Sequence, residues 1–266
     1  MVDMKNKKRL IAVLLVIVMA FTVYGCTLTE GGKDAEKSET MKKIKDSGEI
    51  VWGTNAAFPP FEMRSGDDVI GVDAEIAAKI AEKLDVELKV VDMKFDGLIN
   101  ALNSEQIDFI GAGYTIKPDR EEQVLFTNTY FEAVQMIIVQ KGNEDIKVAA
   151  DLNGKTIGVQ AVTTGDLTAE EYTEDIYRFN NALEASIDLN NGRLDAVIID
   201  NLPAQIIVAD NPGLILLEEK AADDEAYALA VRKEAVDLQQ LINEVIAELN
   251  ASGQIAEWVE EYSYKE

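Results

Sequence analysis

Histidine is absent from this sequence of 266 residues, and cysteine occurs once. Without histidine the chain cannot form Ser-His-Asp or Cys-His nucleophilic machinery, or a metal site built on imidazole. A single cysteine also excludes disulfides within the chain and clusters of thiolate metal ligands. The spaced carboxylates of a helix–loop–helix calcium site are not found either. We therefore expect neither a metal nor another cofactor.

Basic residues are also scarce, since 25 Lys and Arg stand against 49 Asp and Glu, which gives a formal net charge of −24. Such an acidic chain is a poor partner for nucleic acid or for an anionic membrane surface. The hydrophobic fraction of 47% is ordinary for a globular core. The length is sufficient for two compact domains.

The N-terminus has the pattern of an export signal. A basic cluster at residues 5–9 precedes the uninterrupted apolar run Leu10 to Phe21, which is too short to span a bilayer comfortably. The run closes with Val-Tyr-Gly-Cys, which resembles the lipobox of bacterial lipoproteins. We expect residues 1–25 to be a signal peptide, Cys26 to carry lipid, and residues 26–47 to form a flexible, polar linker.

Strand and helix patterns alternate after this linker. Strands are predicted at Glu49–Thr54 and Val86–Val91, and a helix capped by Asp73 is predicted between them, with Ile76, Ile80 and Leu84 on one face. A further helix follows Gly97 and leads to a third strand. This alternation predicts an α/β fold with a parallel sheet, in which ligands bind beyond the carboxyl ends of the strands.

The third strand ends in Gly111–Arg120, with the sequence GAGYTIKPDR. Gly111 and Gly113 lack a Cβ and allow a ligand to approach the backbone. Pro118 is typical of the first turn of a helix, where backbone N–H groups favour an anion. Arg120 adds a guanidinium fork of the kind that binds a carboxylate. This stretch predicts a carboxylate site; the alternative is a connection whose arginine is simply solvated.

A second α/β series begins at Asp151 and ends with a strand at Leu214–Leu217. The extended segments Ala133–Gln140 and Tyr227–Val231 lead into this series and back out of it. We expect two lobes joined by a two-segment hinge, with a ligand cleft between them. The predicted boundaries are residues 48–134 and 225–266 for the first lobe, and residues 139–221 for the second.

Six motifs then occur in one order along the chain and resemble the signatures of family 3 extracellular solute-binding proteins, the amino-acid-binding components of ABC importers. They are IVWGTNAAFPPFE, VIGVDAEIAAKIAEKL, FDGLINAL, IDFIGAGYTIKPDREEQVLFTNTYF, KTIGVQAVTTGD and DAVIIDN. The resemblance covers about residues 44–264. It implies the two-lobed periplasmic-binding-protein fold of the second type, a non-enzymatic function, and a lipid-anchored protein on the outer face of the bacterial cell membrane that delivers an amino acid to a permease.

The same resemblance implies a set of ligand-binding residues. Arg120 resembles the arginine that pairs with the ligand α-carboxylate, and Asp200 the acid that binds the α-ammonium. Gly113 and Thr115 would assist them from the first lobe, and Thr163 and Thr164 from the second. Phe58 and Phe95 resemble an aromatic pair that sandwiches the ligand side chain, while Asn55 and Gln160 read its end. Tyr114 completes the predicted ligand-binding set.

Several of these residues have structural alternatives. Asp200 could cap the helix that follows it, Phe58 and Phe95 could belong to the core, and the two threonines could act as helix caps. Three positions depart from the family pattern, and one of them is Ala228, which occupies the usual glycine place in the return segment Tyr227–Val231. Asn55 replaces a common aspartate, which weakens the case for a strongly cationic ligand such as lysine, and Val162 stands where glycine is usual.

We expect a monomer that binds a polar amino acid, with arginine or glutamine ahead of acidic ligands, because no second basic residue is evident in the predicted pocket. Two alternatives stay open. The chain could be the ligand-sensing component of a receptor, or an enzyme that resembles cyclohexadienyl dehydratases on the same fold.

Overall fold

A computed structural model describes residues 38–263. The predicted signal peptide, the lipidated Cys26 and the first part of the predicted linker lie outside the described residues. The helices are α1 Glu39–Ser47, α2 Val72–Leu84, α3 Leu98–Asn103, α4 Pro118–Glu121, α5 Thr164–Glu170, α6 Ala182–Asn190, α7 Asn201–Asp210, α8 Val236–Ser252 and α9 Gln254–Ser263. The strands are β1 Glu49–Thr54, β2 Ala57–Phe58, β3 Glu62–Ser65, β4 Asp68–Ile70, β5 Glu87–Asp92, β6 Phe109–Ile110, β7 Leu125–Gln140, β8 Ile157–Gln160, β9 Ile176–Phe179, β10 Ala196–Asp200 and β11 Leu214–Val231.

Eight strands are hydrogen-bonded in the order β5-β1-β6-β11-β7-β10-β8-β9. At one end β1 pairs in parallel with β5 and β6, and at the other β8 pairs in parallel with β9 and β10. Helices lie in the connections between these parallel strands, because such pairs require a crossover. The predicted α/β fold with parallel pairing is therefore confirmed.

The two halves of the sheet are joined by β7 and β11, which run antiparallel to one another. The sequence predicts each of them as separate extended pieces, whereas both are continuous strands of 16 and 18 residues. The β11 register shifts between Leu216 and Lys220 and again between Lys220 and Asp224. Bulges of this kind bend a strand without ending it. They explain why one strand serves both halves.

Close packing positions the glycine-rich stretch after β6. The indole Nε1 of Trp52 in β1 donates a hydrogen bond to the carbonyl of Gly111 at 2.8 Å. A Cβ on Gly111 would lie 2.7 Å from the side chain of Leu229 and 2.9 Å from the same indole nitrogen. The site backbone thus lies against the buried core, where no side chain fits.

Helix α1 corrects the predicted extent of the linker. Residues 39–47 were expected to be flexible, but Ser38 caps a helix there, and Met41 and Ile44 are buried. The Ser38 hydroxyl also donates to the carboxylate of Asp237 at 2.6 Å. The polar composition of the segment made it look like a linker. Its two apolar residues lie three positions apart, and this spacing is enough to attach one face of the helix to the core.

A second correction concerns Asp73. It was predicted as the cap of α2, but Gly71 occupies that position without a side-chain cap, and Asp73 lies in the first turn with its side chain fully buried. Its carboxylate accepts hydrogen bonds from Tyr130 and from the Gly113 N–H. Long-range donors have replaced the local capping bond.

Within residues 38–263 no helix combines the length and the apolar character that crossing a bilayer requires.

We expect Ile44→Ala to lower the free energy of unfolding by about 2–5 kcal/mol, because apolar burial is lost and a cavity remains. Chemical denaturation measures the change. Asp46→Ala, on the exposed surface of the same helix, is the matched control and should have little effect. If the Ile44 variant were as stable as the wild type, α1 would not be attached to the core and would belong to the flexible linker.

Candidate functional site

A cavity lies where the two halves of the sheet meet. Its walls are formed by loops and strand ends from both halves, as expected for a sheet of this type. The lining residues are Asn55, Phe58, Glu62, Phe95, Ala112, Gly113, Thr115, Arg120, Gln135, Gln160, Thr163, Thr164, Ile198, Ile199 and Asp200.

Every predicted ligand-binding residue except Tyr114 lines this cavity. The Tyr114 side chain is buried beneath the guanidinium of Arg120, whose Cζ lies 4.3 Å from the ring centre. Its ring also contacts those of Phe95 and Phe126. Tyr114 therefore supports Arg120 from behind and does not face a ligand.

Arg120 is a buried cation, with only 3% of its surface exposed. Its Nη1 donates to the carbonyl of Thr115 at 2.8 Å, and its Nη2 to the carbonyl of Val162 at 3.1 Å. No carboxylate of the described residues lies within 4.0 Å of it. Burial lowers the pKa of Arg120 from its ordinary value. A buried charge without a counter-ion is unfavourable, so the site favours an incoming carboxylate.

Asp200 ends β10 and is buried. It stands at the cap position of α7 but makes no side-chain capping bond, which removes the capping alternative. Its Oδ1 has no donor among the described residues. Burial raises the pKa of Asp200 well above its usual range, and the Glu225 carboxyl raises it further. Asp200 therefore places an acidic group on the cavity wall that the second strand series forms.

Glu62 lines the cavity and was missed by the sequence analysis. It begins β3, is 1% exposed, and has an Oε2 without a donor among the described residues. Burial raises the pKa of Glu62 well above its usual range, with the nearby Asp73 carboxyl as the next cause. One feature of the sequence could have identified Glu62, namely its position directly after the loop that two adjacent prolines stiffen. Four other lining residues were also missed, because residues in or beside strands are difficult to distinguish from core residues in a sequence. They are Gln135, Ala112, Ile198 and Ile199.

Asn55 and Gln160 come together across the cavity. The Gln160 Nε2 donates to the Asn55 Oδ1 at 3.0 Å, and the Asn55 Nδ2 donates to the carbonyl of Met93 at 2.8 Å. This pair joins the end of β8 to the end of β1. Their side chains therefore form a polar boundary of the cavity, next to Phe95.

The second-series loop between β8 and α5 is shaped by Val162 and Thr163. Val162 has a φ of 65°, a left-handed conformation that is unfavourable for a β-branched residue and explains why glycine is usual there. Thr163 caps α5 by accepting a hydrogen bond from the N–H of Asp166. The predicted structural role of Thr163 is thus confirmed, and the residue also lines the cavity.

Gly113 and Phe58 fit together on the first-series wall. Gly113 has a φ of 52°, and a Cβ there would lie 2.5 Å from the Phe58 ring. Phe58 packs against Phe61 and Tyr227, while Phe95 lies beside Arg120. The two rings are therefore packed partly against the protein and also line the cavity, so the core alternative describes only part of their environment. Among residues 38–263 there is no group of three or more Cys, Asp or Glu side chains arranged to hold a metal ion.

A two-lobed α/β protein with a cavity between its halves, a buried unpaired arginine and buried acids opposite defines a class of small-ligand binding proteins. The family model of bacterial extracellular solute-binding proteins, family 3, matches residues 50–265. The chain belongs to this family. Binding an amino acid outside the cytoplasm and delivering it to an ABC-type permease is the function of the class.

Individual relatives agree with this membership. The arginine-binding extracellular protein ArtP of Bacillus subtilis is 33% identical over 251 residues, which cover 91% of this chain and 94% of ArtP. An arginine-bound truncated form of ArgBP from T. maritima is 42% identical, with a TM-score of 0.75 and coverage of 78% and 99%. An ancestral arginine-binding protein bound to glutamine is 38% identical, with a TM-score of 0.75 and coverage of 81% and 97%. These relatives are binding proteins.

We expect the ligand-free protein to lose stability as pH rises from about 5 to 8, by on the order of 1 kcal/mol per pH unit for each group that titrates. The folded-state pKa of Glu62 is raised above its unfolded value, so the folded state holds the extra proton and its advantage disappears with rising pH. Thermal unfolding across this range measures the slope. Glu62→Gln should flatten it, whereas the exposed Glu82→Gln should not; identical slopes in all three proteins would refute the role of Glu62.

Proposed function

We propose that the protein binds L-arginine in this cavity and presents it to an ABC-type permease. The observation that carries the proposal is the charge pattern of the walls, with one buried cation lacking a counter-ion and two buried acids that face the same space. Arginine carries a carboxylate, an ammonium and a guanidinium, which match Arg120, Asp200 and Glu62 in sign and number. Charge-assisted hydrogen bonds of this kind are the strong ones.

In this proposal the ligand backbone is held by both lobes. Arg120 binds the α-carboxylate with help from the Thr115 N–H and from the backbone at Thr163 and Thr164. Asp200, the Gly113 carbonyl and the Thr115 hydroxyl bind the α-ammonium. These roles follow the family likeness, and they are supported by the common cavity.

The ligand side chain then extends between the rings of Phe58 and Phe95 towards Asn55, Gln160 and Glu62. Glutamine is the runner-up ligand, since a related ancestral protein is described in complexes with glutamine and with arginine. A neutral amide would leave Glu62 facing no positive charge. Arginine therefore ranks first, even though Asn55 stands in place of the usual aspartate.

We propose lobe boundaries at residues 48–134 and 225–266 for the first lobe, extended by α1 (Glu39–Ser47), and at 139–221 for the second. Two contacts would then join the lobes directly, from Gln160 to Asn55 and from Arg120 to the carbonyl of Val162. A ligand stabilises the closed form only through contacts that the open form lacks. The protein acts here as a monomeric binding component without a catalytic step.

Binding is tested by a thermal-shift screen of the twenty amino acids with cystine, ornithine and citrulline. Arginine should raise the melting temperature most, because a ligand at 1,000 times its Kd stabilises by about 4 kcal/mol. Isothermal calorimetry then gives the Kd. A screen in which arginine has no effect while a neutral or acidic amino acid stabilises the protein would overturn the ligand assignment.

Two substitutions test the assigned roles by calorimetry. Arg120→Ala should abolish most affinity for every amino acid, since an unpaired buried charge costs about 3–5 kcal/mol. Glu62→Gln should weaken arginine about 10- to 100-fold, the worth of a charge-assisted hydrogen bond, and affect citrulline much less. Glu105→Gln, an exposed change remote from the cavity, is the control. Equal losses for arginine and citrulline in the Glu62 variant would contradict guanidinium recognition there.

We further propose that residues 1–25 are removed on export and that lipid on Cys26 holds the protein at the outer face of the cell membrane. One acyl chain gives only marginal binding, so two or more are expected. Cys26→Ser should move the protein from the membrane fraction into the medium while the purified protein still binds arginine. Membrane retention of this variant would argue against a lipid anchor.

A further inference from the structure

Each acid that faces the cavity has a second carboxyl group directly behind it. Glu62 contacts Asp73 on one wall, and Asp200 contacts Glu225 on the other. Asp73 comes from the first turn of α2, and Glu225 from the bridging strand β11. Neither rear residue lines the cavity. Four carboxyl groups thus form two pairs around the cavity. If both members of a pair were ionised, their negative charges would repel each other strongly.

The hydrogen bonds show where the charge lies in the first pair. Both oxygens of Asp73 accept bonds, Oδ1 from the Tyr130 hydroxyl at 2.6 Å and Oδ2 from the Gly113 N–H at 3.0 Å. Burial raises the pKa of Asp73 to about 6, but these two donors lower it and so favour the anion on Asp73 over the anion on Glu62. Glu62 has no such donors, and its Oε2 is buried without a partner among the described residues. The proton of this pair therefore belongs on Glu62, where it can be shared with Asp73.

The second pair has the same arrangement. Glu225 accepts bonds from the amide of Gln135 and from the hydroxyl of Thr164, both at its Oε1. Its Oε2 and the Oδ1 of Asp200 are buried and lack a donor among the described residues. Tyr227 and Gln135 act on Asp200 as donors that lower its pKa, whereas the Oε2 of Glu225 has no such donor, and a proton held between the two carboxyl groups supplies it. The proton is then on Asp200, the cavity-facing member, as it is on Glu62.

The other titratable groups around the pairs do not supply the missing charge. Glu62 also faces Asp92 and Asp200, which disfavour its ionisation, and Tyr130 beside Asp73 stays neutral because burial raises its pKa well above the usual value. The same holds for Tyr227, which lies against Asp200.

Two cations lie near the second pair. Arg120 faces Asp200 and Glu225, and Lys117 also faces Glu225. Arg120 is held by its two carbonyls and makes no ion pair with either acid within 4.0 Å. Among the described residues no cation pairs with Glu62 or Asp200 within 4.0 Å, so a proton is left to neutralise each of these two acids.

We propose that Asp73 and Glu225 are positioning residues, each sharing one proton with the acid in front of it, and that the cations of a bound amino acid displace these protons. The α-ammonium displaces the proton of the Asp200–Glu225 pair, and a cationic side chain displaces that of the Glu62–Asp73 pair. The released protons pass to solvent as the lobes close. This inference rests on the proposed function for its ligand, and it adds two residues and a proton balance to it.

Proton-coupled binding makes the cavity selective for charge. A ligand with a neutral side chain leaves the proton on Glu62, and its neutral end meets a neutral acid. A ligand with a cationic side chain supplies the positive charge that allows Glu62 to ionise beside Asp73. Because ligand and proton compete, arginine affinity should fall as pH falls, by up to about tenfold per pH unit for each proton displaced.

The test is calorimetry of the full chain near pH 7 in phosphate and in Tris, two buffers with different ionisation enthalpies. The dependence of the measured enthalpy on the buffer counts the protons released. Arginine should release about one to two protons, and citrulline, which has the same shape with a neutral end, fewer. An enthalpy independent of buffer for arginine would overturn the proposal while leaving arginine binding intact.

Two variants distinguish a positioning role of Asp73 and Glu225 from a purely structural role of these residues. Asp73→Asn should reduce the proton count for arginine to that for citrulline, because an amide cannot share the proton and Glu62 is then ionised before binding. Glu225→Gln should reduce the count for both ligands. The matched control is Glu82→Gln, the same kind of change on the exposed surface of α2, which should leave the count unchanged. Weaker binding with an unchanged count in both variants would mean that these residues only support the fold, and would refute the proposal.

If arginine fails to bind the wild type, the proposed ligand is wrong. The second pair is still tested by whichever amino acid the thermal screen identifies, since every amino acid carries an α-ammonium. Buffer-independent enthalpy with that ligand refutes the proton exchange at Asp200, and a buffer-dependent enthalpy that Glu225→Gln removes supports it.

Discussion

The buried guanidinium of Arg120 is the constraint on which the rest of the site depends. It is held by two carbonyl groups from distant parts of the chain, Thr115 after the third strand of the first series and Val162 in the second series, and it is stacked on Tyr114. Carbonyl dipoles and an aromatic face keep the cation in place but do not neutralise it. The guanidinium lacks an ion-pair partner among the described residues, and its two carbonyl bonds require both halves of the sheet to be close together.

The acids opposite follow from the same constraint. Asp200 and Glu62 face the cavity with oxygens that lack donors among the described residues, and each is backed by another carboxyl group. The cavity walls thus carry one basic group and two acidic groups, which complement the carboxylate and the positive groups of an amino acid. Glu225 and Tyr227 belong to β11, one of the two strands that join the halves, so the connecting strand itself contributes to the electrostatics of the cavity.

Local pattern predicted much of the fold and failed where distant contacts decide. The parallel strands and the helices between them were predicted from apolar periodicity, which depends on near neighbours. The linker was predicted too long because its composition is polar, although Met41 and Ile44 attach α1 to the core. Asp73 was read as a helix cap because aspartate is common there, whereas donors from Tyr130 and Gly113 draw it into the interior. Neither contact leaves a mark in the local sequence.

By itself the sequence determined the class of protein, the alternation of strands and helices, and most of the residues that line the cavity. Those features depend on composition, on short periodicities and on collinear motifs, all of which are written along the chain. Only the tertiary structure decided that Tyr114 supports Arg120 from behind, that Glu62 shares the cavity, and that each cavity acid contacts a second acid. These are matters of direction and distance between residues far apart in sequence, and the ionisation of a buried carboxyl group depends on those distances and on the water that folding removes.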